Sequence, residues 1–127
     1  MTAIDIFIVD DDSSVRRALG RLLSAHGYGV RAFASADEFL AYAGDDRPAC
    51  LVVDLRMPVK TGLDLFAALQ VSHSDLPVIF ITGHGDEPDA VQTMTKGAVD
   101  YLRKPFDDRA LLDAIRRGLE RRLVDPT

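Results

Sequence analysis

Cysteine is nearly absent: Cys50 stands alone in 127 residues, which excludes an internal disulfide framework and any multi-cysteine zinc site. Long apolar runs are missing as well. The longest, such as 6–9 and 78–81, fall far short of the roughly 18 residues a membrane span requires. No basic region precedes an apolar one in Met1-Thr2-Ala3-Ile4-Asp5, so no signal peptide is expected. Positive charge is not in excess: 15 basic against 20 acidic residues leave a net charge of −5. Non-specific attraction to nucleic acid or to an anionic membrane is therefore a poor default. No G-x-G-x-x-G follows the first apolar run, which weighs against a dinucleotide-binding domain. Residue-level repeats, low-complexity segments and internal linkers are also lacking. What remains is ordinary, with 47% hydrophobic and 28% charged residues, the balance of a globular protein at the length of one domain. A soluble, cytoplasmic single domain is expected.

Five short apolar runs punctuate the chain, at 6–9, 30–33, 50–53, 78–82 and 99–102. Several are continuously apolar rather than alternating, as strands covered on both faces of a parallel sheet read. Helical patterns fill the gaps. Val15, Ala18, Leu19, Leu22 and Leu23 mark one face of a first helix, with Arg16, Arg17 and Arg21 opposite and Gly27 as its stop. Ser35 and Glu38 have the capping-box spacing and open a second helix through Phe39, Leu40 and Tyr42. A third is expected over 62–71, and a fourth over 89–96 with Ala90, Val91 and Met94 inward and Gly97 ending it. The fifth starts near Asp107-Asp108 and carries Leu111, Leu112, Ile115 and Leu119. Five strand–helix alternations imply a doubly wound α/β sandwich of three layers.

In such a sheet, ligands bind beyond the carboxyl ends of the strands. Asp10, Asp11 and Asp12 follow the first run, Asp54 the third, Thr82 closes the fourth, and Lys104 and Pro105 follow the fifth. Crowded carboxylates favour a raised pKa or a bound cation. With no histidine or cysteine in the set, a hard oxygen-preferring ion such as Mg²⁺ fits. A carboxylate can also attack phosphorus to give an aspartyl-phosphate, with the ion, an ammonium and a hydroxyl compensating the charge. Each residue also has a plainer reading: Asp12 or Ser13 as a helix cap, Asp54 as a solvated acid, Lys104 as an exposed lysine, Thr82 as a strand-ending β-branched residue.

Taken in order, Val9-Asp10-Asp11, Leu51-Val52-Val53-Asp54-Leu55-Arg56-Met57-Pro58 with Gly62, Ile81-Thr82-Gly83 and Lys104-Pro105-Phe106 resemble the receiver domain of two-component response regulators. The likeness runs from residue 6 to about 123. Thr82-Gly83-His84-Gly85-Asp86 is further similar to the FixJ-like (FixJ/NarL-type) regulators. The resemblance implies a (βα)5 five-stranded parallel sheet of order 2-1-3-4-5, a flavodoxin-like, CheY-like fold. It implies Asp54 as phosphoacceptor, and Asp10, Asp11, Asp54 and the Arg56 backbone carbonyl as ligands of Mg²⁺ or Mn²⁺. Thr82 and Tyr101 would be switch residues, Lys104 would pair with phosphate, and the bond before Pro105 would be cis. The phosphodonor would be a sensor histidine kinase, and the surface of the fourth helix, fifth strand and fifth helix would respond, with homodimerisation through the fourth helix and fifth strand. Enzymatic activity would be confined to self-catalysed phosphorylation and dephosphorylation.

The same resemblance implies a receiver domain at 1–124, with 125–127 opening a tail or linker and the C-terminal DNA-binding output domain absent. A stand-alone receiver relaying phosphate or binding an effector is the alternative. Arg56 and His84, two residues past Asp54 and Thr82, are candidates for setting the phosphoryl lifetime. Arg116, Arg117, Arg121 and Arg122 form a basic patch, read first as a solvated helix end. A haloacid-dehalogenase-type phosphohydrolase with Asp10 as nucleophile and Asp12 as acid/base is the enzymatic competitor, but it leaves Asp54 without a role.

Overall fold

Each apolar run forms a strand, and each interval between strands contains one helix. The computed structural model describes residues 4–42, 49–71, 75–83 and 87–124. Along them run β1 (Asp5–Val9), α1 (Ser13–Ala25), β2 (Gly29–Phe33), α2 (Ala36–Ala41), β3 (Cys50–Asp54), α3 (Gly62–Val71), β4 (Val78–Thr82), α4 (Glu87–Thr95), β5 (Asp100–Arg103) and α5 (Asp108–Val124). The strands make one parallel sheet in the order β2-β1-β3-β4-β5. The order reverses between β1 and β3, the place where a doubly wound sheet opens a crevice at its carboxyl edge.

Alternate residues of the central strands feed two separate cores. Phe7, Val9, Leu51, Val53 and Phe80 pack on one face with Ala36 of α2, Leu65 and Phe66 of α3, and Ala90 of α4. Ile6, Ile8, Val52, Ile79 and Ile81 pack on the other with Leu19 and Leu23 of α1 and Leu111, Ala114 and Ile115 of α5. Both faces of β3 and β4 are covered, so all ten of their residues are buried. That double covering is why their sequences are continuous rather than alternating.

The helix ends follow local chemistry. Asp12 caps α1, its carboxylate accepting from the Ser14 amide at 2.9 Å and the Ser14 hydroxyl at 2.6 Å. Gly27 at φ 88° closes the same helix through a left-handed turn. Ser35 caps α2 by accepting from the Glu38 amide at 3.1 Å. The Glu38 side chain reaches back to the Ala34 amide at 3.4 Å, one residue beyond the N-cap amide of the usual capping box. Tyr42 is the C-cap of α2 rather than its last turn.

Two faces differ from the helical pattern. In α4 only Ala90 of the expected apolar trio points inward; Val91 is 50% exposed and Met94 39%. Thr93 is buried in their place, its hydroxyl satisfied by the Ala90 carbonyl at 2.6 Å. Small residues three apart let α4 approach the sheet closely and turn its larger side chains outward. In α1, Leu19 and Leu23 are buried, but Ala18 is exposed and Arg16 is half-buried rather than solvated. The fifth strand begins one residue later than its apolar run, at Asp100, because Val99 makes the entry contact, its amide donating to Val78 at 2.9 Å.

Candidate functional site at the carboxyl edge

Asp10 follows β1 directly, and its amide donates to Phe33 of β2 at 3.1 Å. Asp54 is the last residue of β3, and Thr82 the last of β4. Lys104 follows β5, tied by its amide to the Thr82 carbonyl at 2.8 Å. The parallel register thus delivers the four segments to one edge. Gly62 fixes the floor: its amide donates to the Leu55 carbonyl at 3.0 Å. A Cβ at Gly62 would collide with the Asp54 carbonyl and lie 2.9 Å from the Leu55 Cα. Only glycine allows the start of α3 to close so tightly over the end of β3.

Asp10, Asp11 and Asp54 each offer a carboxylate oxygen within 4.8 Å of the others. Asp10 is 1% exposed and Asp54 7%, whereas Asp11 is open to solvent. Asp10 Oδ1 accepts from the Asp12 amide at 2.9 Å, and Asp54 Oδ1 from the Arg56 amide at 3.1 Å. Lys104 Nζ bridges the buried pair, 3.5 Å from Asp54 Oδ2 and 3.6 Å from Asp10 Oδ2. Burial pushes the carboxyls of both Asp10 and Asp54 above the usual range, against the opposing pull of amide hydrogen bonds and Lys104. Lys104 is held above its ordinary value: burial opposes its charge, and the combined fields of Asp10 and Asp54 outweigh burial.

Asp10 Oδ2 is fully buried and lacks a hydrogen-bond partner among the described residues. An orphaned buried carboxylate oxygen is costly, and one ammonium cannot neutralise three acids. A compact divalent cation would satisfy that oxygen and offset the repulsion. The all-oxygen donor set suits Mg²⁺, or Mn²⁺ with similar preferences. The residues present fit such an ion.

The remaining expected site residues are placed as follows. Thr82 is fully buried, its hydroxyl donating to the Leu102 carbonyl at 3.5 Å rather than to a carboxylate. Tyr101 pairs in register with Phe80 and is half-buried against the α2–α4 core. The Lys104–Pro105 peptide is cis. The side chain of Arg56 is exposed, and its amide donates to Asp54 Oδ1. His84 lies outside the described residues, as does His73. In the basic patch Arg116 pairs with Asp113 at 2.6 Å and Arg117 with Asp100 at 2.7 Å. Arg121 donates to the Gly97 carbonyl. Those three arginines therefore hold α5 to itself and to the β5 entry, which accounts for them without a ligand. His26 caps α1, and its Nδ1 donates to the Leu22 carbonyl, 3.0 Å away.

Pattern reading missed Arg16. Its guanidinium curls back along α1 and donates to the Asp10 carbonyl at 2.7 Å. Helical periodicity assigns it to the solvent face because periodicity sees where a side chain leaves the helix, not how far it reaches. The cue available in the sequence was an arginine one turn into a helix whose N-terminus carries three acids.

An acidic crevice able to hold a cation at the switch point of a doubly wound parallel sheet defines a class: α/β domains with a polar site at their carboxyl edge. Comparison with known proteins narrows it. Residues 6–116 match the response regulator receiver domain, and the chain belongs to that family. It is 45% identical over 120 residues to the transcriptional regulatory protein FixJ of Rhizobium meliloti, covering 94% of this chain and 59% of that protein. It is 47% identical over 116 residues to nodulation protein W of Bradyrhizobium diazoefficiens, covering 91% of this chain and 51% of that one. The chain thus spans between half and three-fifths of the length of these two relatives. The crystal structure of FixJ-N superposes with a TM-score of 0.85 at 44% identity, over 94% of this chain and 96% of that one. Strand order, fold and family are those of a two-component receiver. Among the described residues no helix is long and apolar enough to cross a membrane.

Proposed function

We propose that this domain accepts a phosphoryl group on Asp54 from the phosphohistidine of a sensor kinase and passes the change to its α4–β5–α5 surface. The observation that carries the reading is the three-carboxylate cluster within 4.8 Å with Lys104 Nζ 3.5 Å from Asp54. An Asp54 carboxylate oxygen would attack phosphorus while the bond to the imidazole nitrogen breaks, and the imidazole leaves with the electron pair and takes a proton. Asp10, Asp11, Asp54 and the backbone carbonyl of Arg56 would hold Mg²⁺ or Mn²⁺. When bound, the ion supplies charge compensation for the phosphoryl oxygens. Lys104 then exchanges its carboxylate partner for a phosphoryl oxygen. Thr82 gives up the long contact to Leu102 and donates to the new group instead, which frees space for Tyr101 to repack.

The consequence is a two-state equilibrium, shifted only by what the phosphoryl group gains in one state over the other. Val91 and Met94, exposed on α4, lie on the surface proposed to meet a second copy after phosphorylation. The FixJ relative is a transcriptional regulatory protein, which supports a transcriptional output, so we read residues 1–124 as a receiver controlling a C-terminal DNA-binding module in the cytoplasm. Catalysis of reactions on separate substrates forms no part of this reading; turnover is limited to gain and loss of its own phosphoryl group, with Arg56 and His84 proposed to tune the lifetime.

Incubation with acetyl phosphate and Mg²⁺, followed by intact-mass and peptide mapping, tests the reading. One phosphoryl group on Asp54, lost on Asp54→Asn, is expected. Modification of Asp10 instead would favour a phosphohydrolase. No covalent adduct, with Mg²⁺ bound, would overturn both.

A further inference from the structure

We propose that Arg16 is a positioning residue for the acidic pair, acting through the peptide that joins Asp10 to Asp11. This rests on the reading of the crevice as a divalent-cation site. The two acids are held in different ways. Asp10 is anchored at three points: its amide to β2, its Oδ1 by the Asp12 amide, and its main-chain oxygen by Arg16 at 2.7 Å. Asp11 is exposed, and among the described residues no hydrogen bond holds its carboxylate. The direction of the Asp11 Cα–Cβ bond, and so the region its carboxylate can reach, is therefore set by its backbone, that is, by the orientation of the Asp10–Asp11 peptide plane.

Arg16 grips the oxygen of that plane. A guanidinium on a carbonyl is a charge-assisted hydrogen bond, stronger and more directional than a neutral one. Arg16 is half-buried and stands in the first turn of α1, a helix fixed at its start by the Asp12 cap. The chain β2–Asp10–Arg16–α1 is thus a closed bracket around the one peptide whose rotation would separate the two carboxylates. Without the tether, the plane can turn and Asp11 swings away from the other two donors. Groups that orient metal ligands from behind commonly change affinity by 10–100-fold when removed. One bond acting through backbone belongs at the low end of that range.

Charge alone predicts the opposite. Removing a cation next to a divalent-ion site should tighten the ion's binding, by simple relief of repulsion. The direction of the effect therefore separates positioning from field. Arg17, exposed beside it on the same helix, supplies a control that removes the same charge without touching the tether.

The experiment is titration of the full chain with Mg²⁺, and with Mn²⁺ as a second probe, at fixed ionic strength, on wild type, Arg16→Ala, Arg16→Lys and Arg17→Ala. Thermal unfolding of each without divalent ion is recorded alongside. Arg16→Ala is expected to weaken Mg²⁺ binding about tenfold. Arg16→Lys, which keeps a donor within reach, should recover most of the loss, and Arg17→Ala should leave affinity unchanged or slightly tighter. A loss that tracks a fall in unfolding temperature equally in all variants would mark a merely structural role and overturn the proposal. So would unchanged or tighter binding in Arg16→Ala. If wild type itself fails to bind either ion, the cation reading of the crevice falls first, and the Arg16 proposal falls with it.

Discussion

The interior of the sheet and its carboxyl edge are built to opposite rules. Inside, Phe7, Ile8, Val52, Ile79 and Phe80 are fully buried, apolar and packed from both faces. At the edge, only a residue or two further along the same strands, two acids are buried with a shared lysine and an orphaned oxygen. The interior stabilises the fold unconditionally. The edge costs stability until something cationic arrives, so its strain becomes a response to ligand. A core mutation and an edge mutation should then differ in sign as well as in size.

The largest effect belongs to the interior. Phe80 is fully buried and meets Phe66 edge to face at 5.3 Å between ring centroids. Phe80→Ala should lower stability by about 3–5 kcal/mol, read as an earlier urea midpoint. The increment that Mg²⁺ adds to the midpoint should remain that of wild type, because the cavity lies among apolar neighbours. Should the variant retain too little fold to measure, Ile79→Val, at about 1 kcal/mol, makes the same comparison. A core variant that also lost the Mg²⁺ increment would show that the two regions are not separable.

At the edge the sign reverses. Asp10 and Asp54 have carboxyl pKa values raised above 3.8 by burial. Between 3.8 and the raised values the folded chain binds more protons than the unfolded chain. Stability therefore falls as pH rises through that window. Asp12 works the other way: its carboxylate is held below the usual range by Ser14, so its contribution is present above 3.8 and lost on acidification. Subtracting a variant isolates the edge. Asp54→Asn without divalent ion at neutral pH should be more stable than wild type, because the amide carries no burial-penalised charge. It should also lack part of the decline that wild type shows as pH rises above 3.8. Mg²⁺ should narrow the gap by stabilising wild type more than the variant. Identical pH profiles for the two proteins would sink the claim that Asp54 carries an unrelieved burial cost.

The contrast also explains what could be read without coordinates. Strands β3 and β4 were legible because covering on both faces demands uninterrupted apolar residues, and Asp54 and Thr82 were legible because they end those runs. Register then carries them to one edge whatever the loops do. The phase of α4 was not legible. Its apolar residues are few, and Thr93 becomes a core residue once its hydroxyl bonds to the preceding turn, a local satisfaction that hydropathy counts as polar. Arg16 escaped for a related reason: long side chains act at a distance from their Cα, and patterns of Cα positions cannot follow them. The collision that forces glycine at position 62 likewise depends on a contact with Asp54 and Leu55, seven or eight residues back.

The smallest effect asks whether the edge is strained in its backbone as well as its charges. Val59 is, among the described residues, the one non-glycine with a positive φ, at 68°. It borders a cleft of about 300 Å³ shared with Asp11, Ser35, Pro58 and Lys60. A β-branched residue in the left-handed region is disfavoured by about 1–2 kcal/mol, and at 98% exposure the side chain gains no packing in return. Val59→Asn tolerates that conformation without adding glycine's freedom to the unfolded chain, and should raise stability by about 0.5–1 kcal/mol. Val59→Gly should gain less, because its more flexible unfolded state offsets part of the relief. Urea midpoints at unchanged slope would measure both. Since the side chain touches so little, any gain reports the backbone alone. Equal midpoints for all three proteins would confine the frustration of this edge to its buried carboxylates.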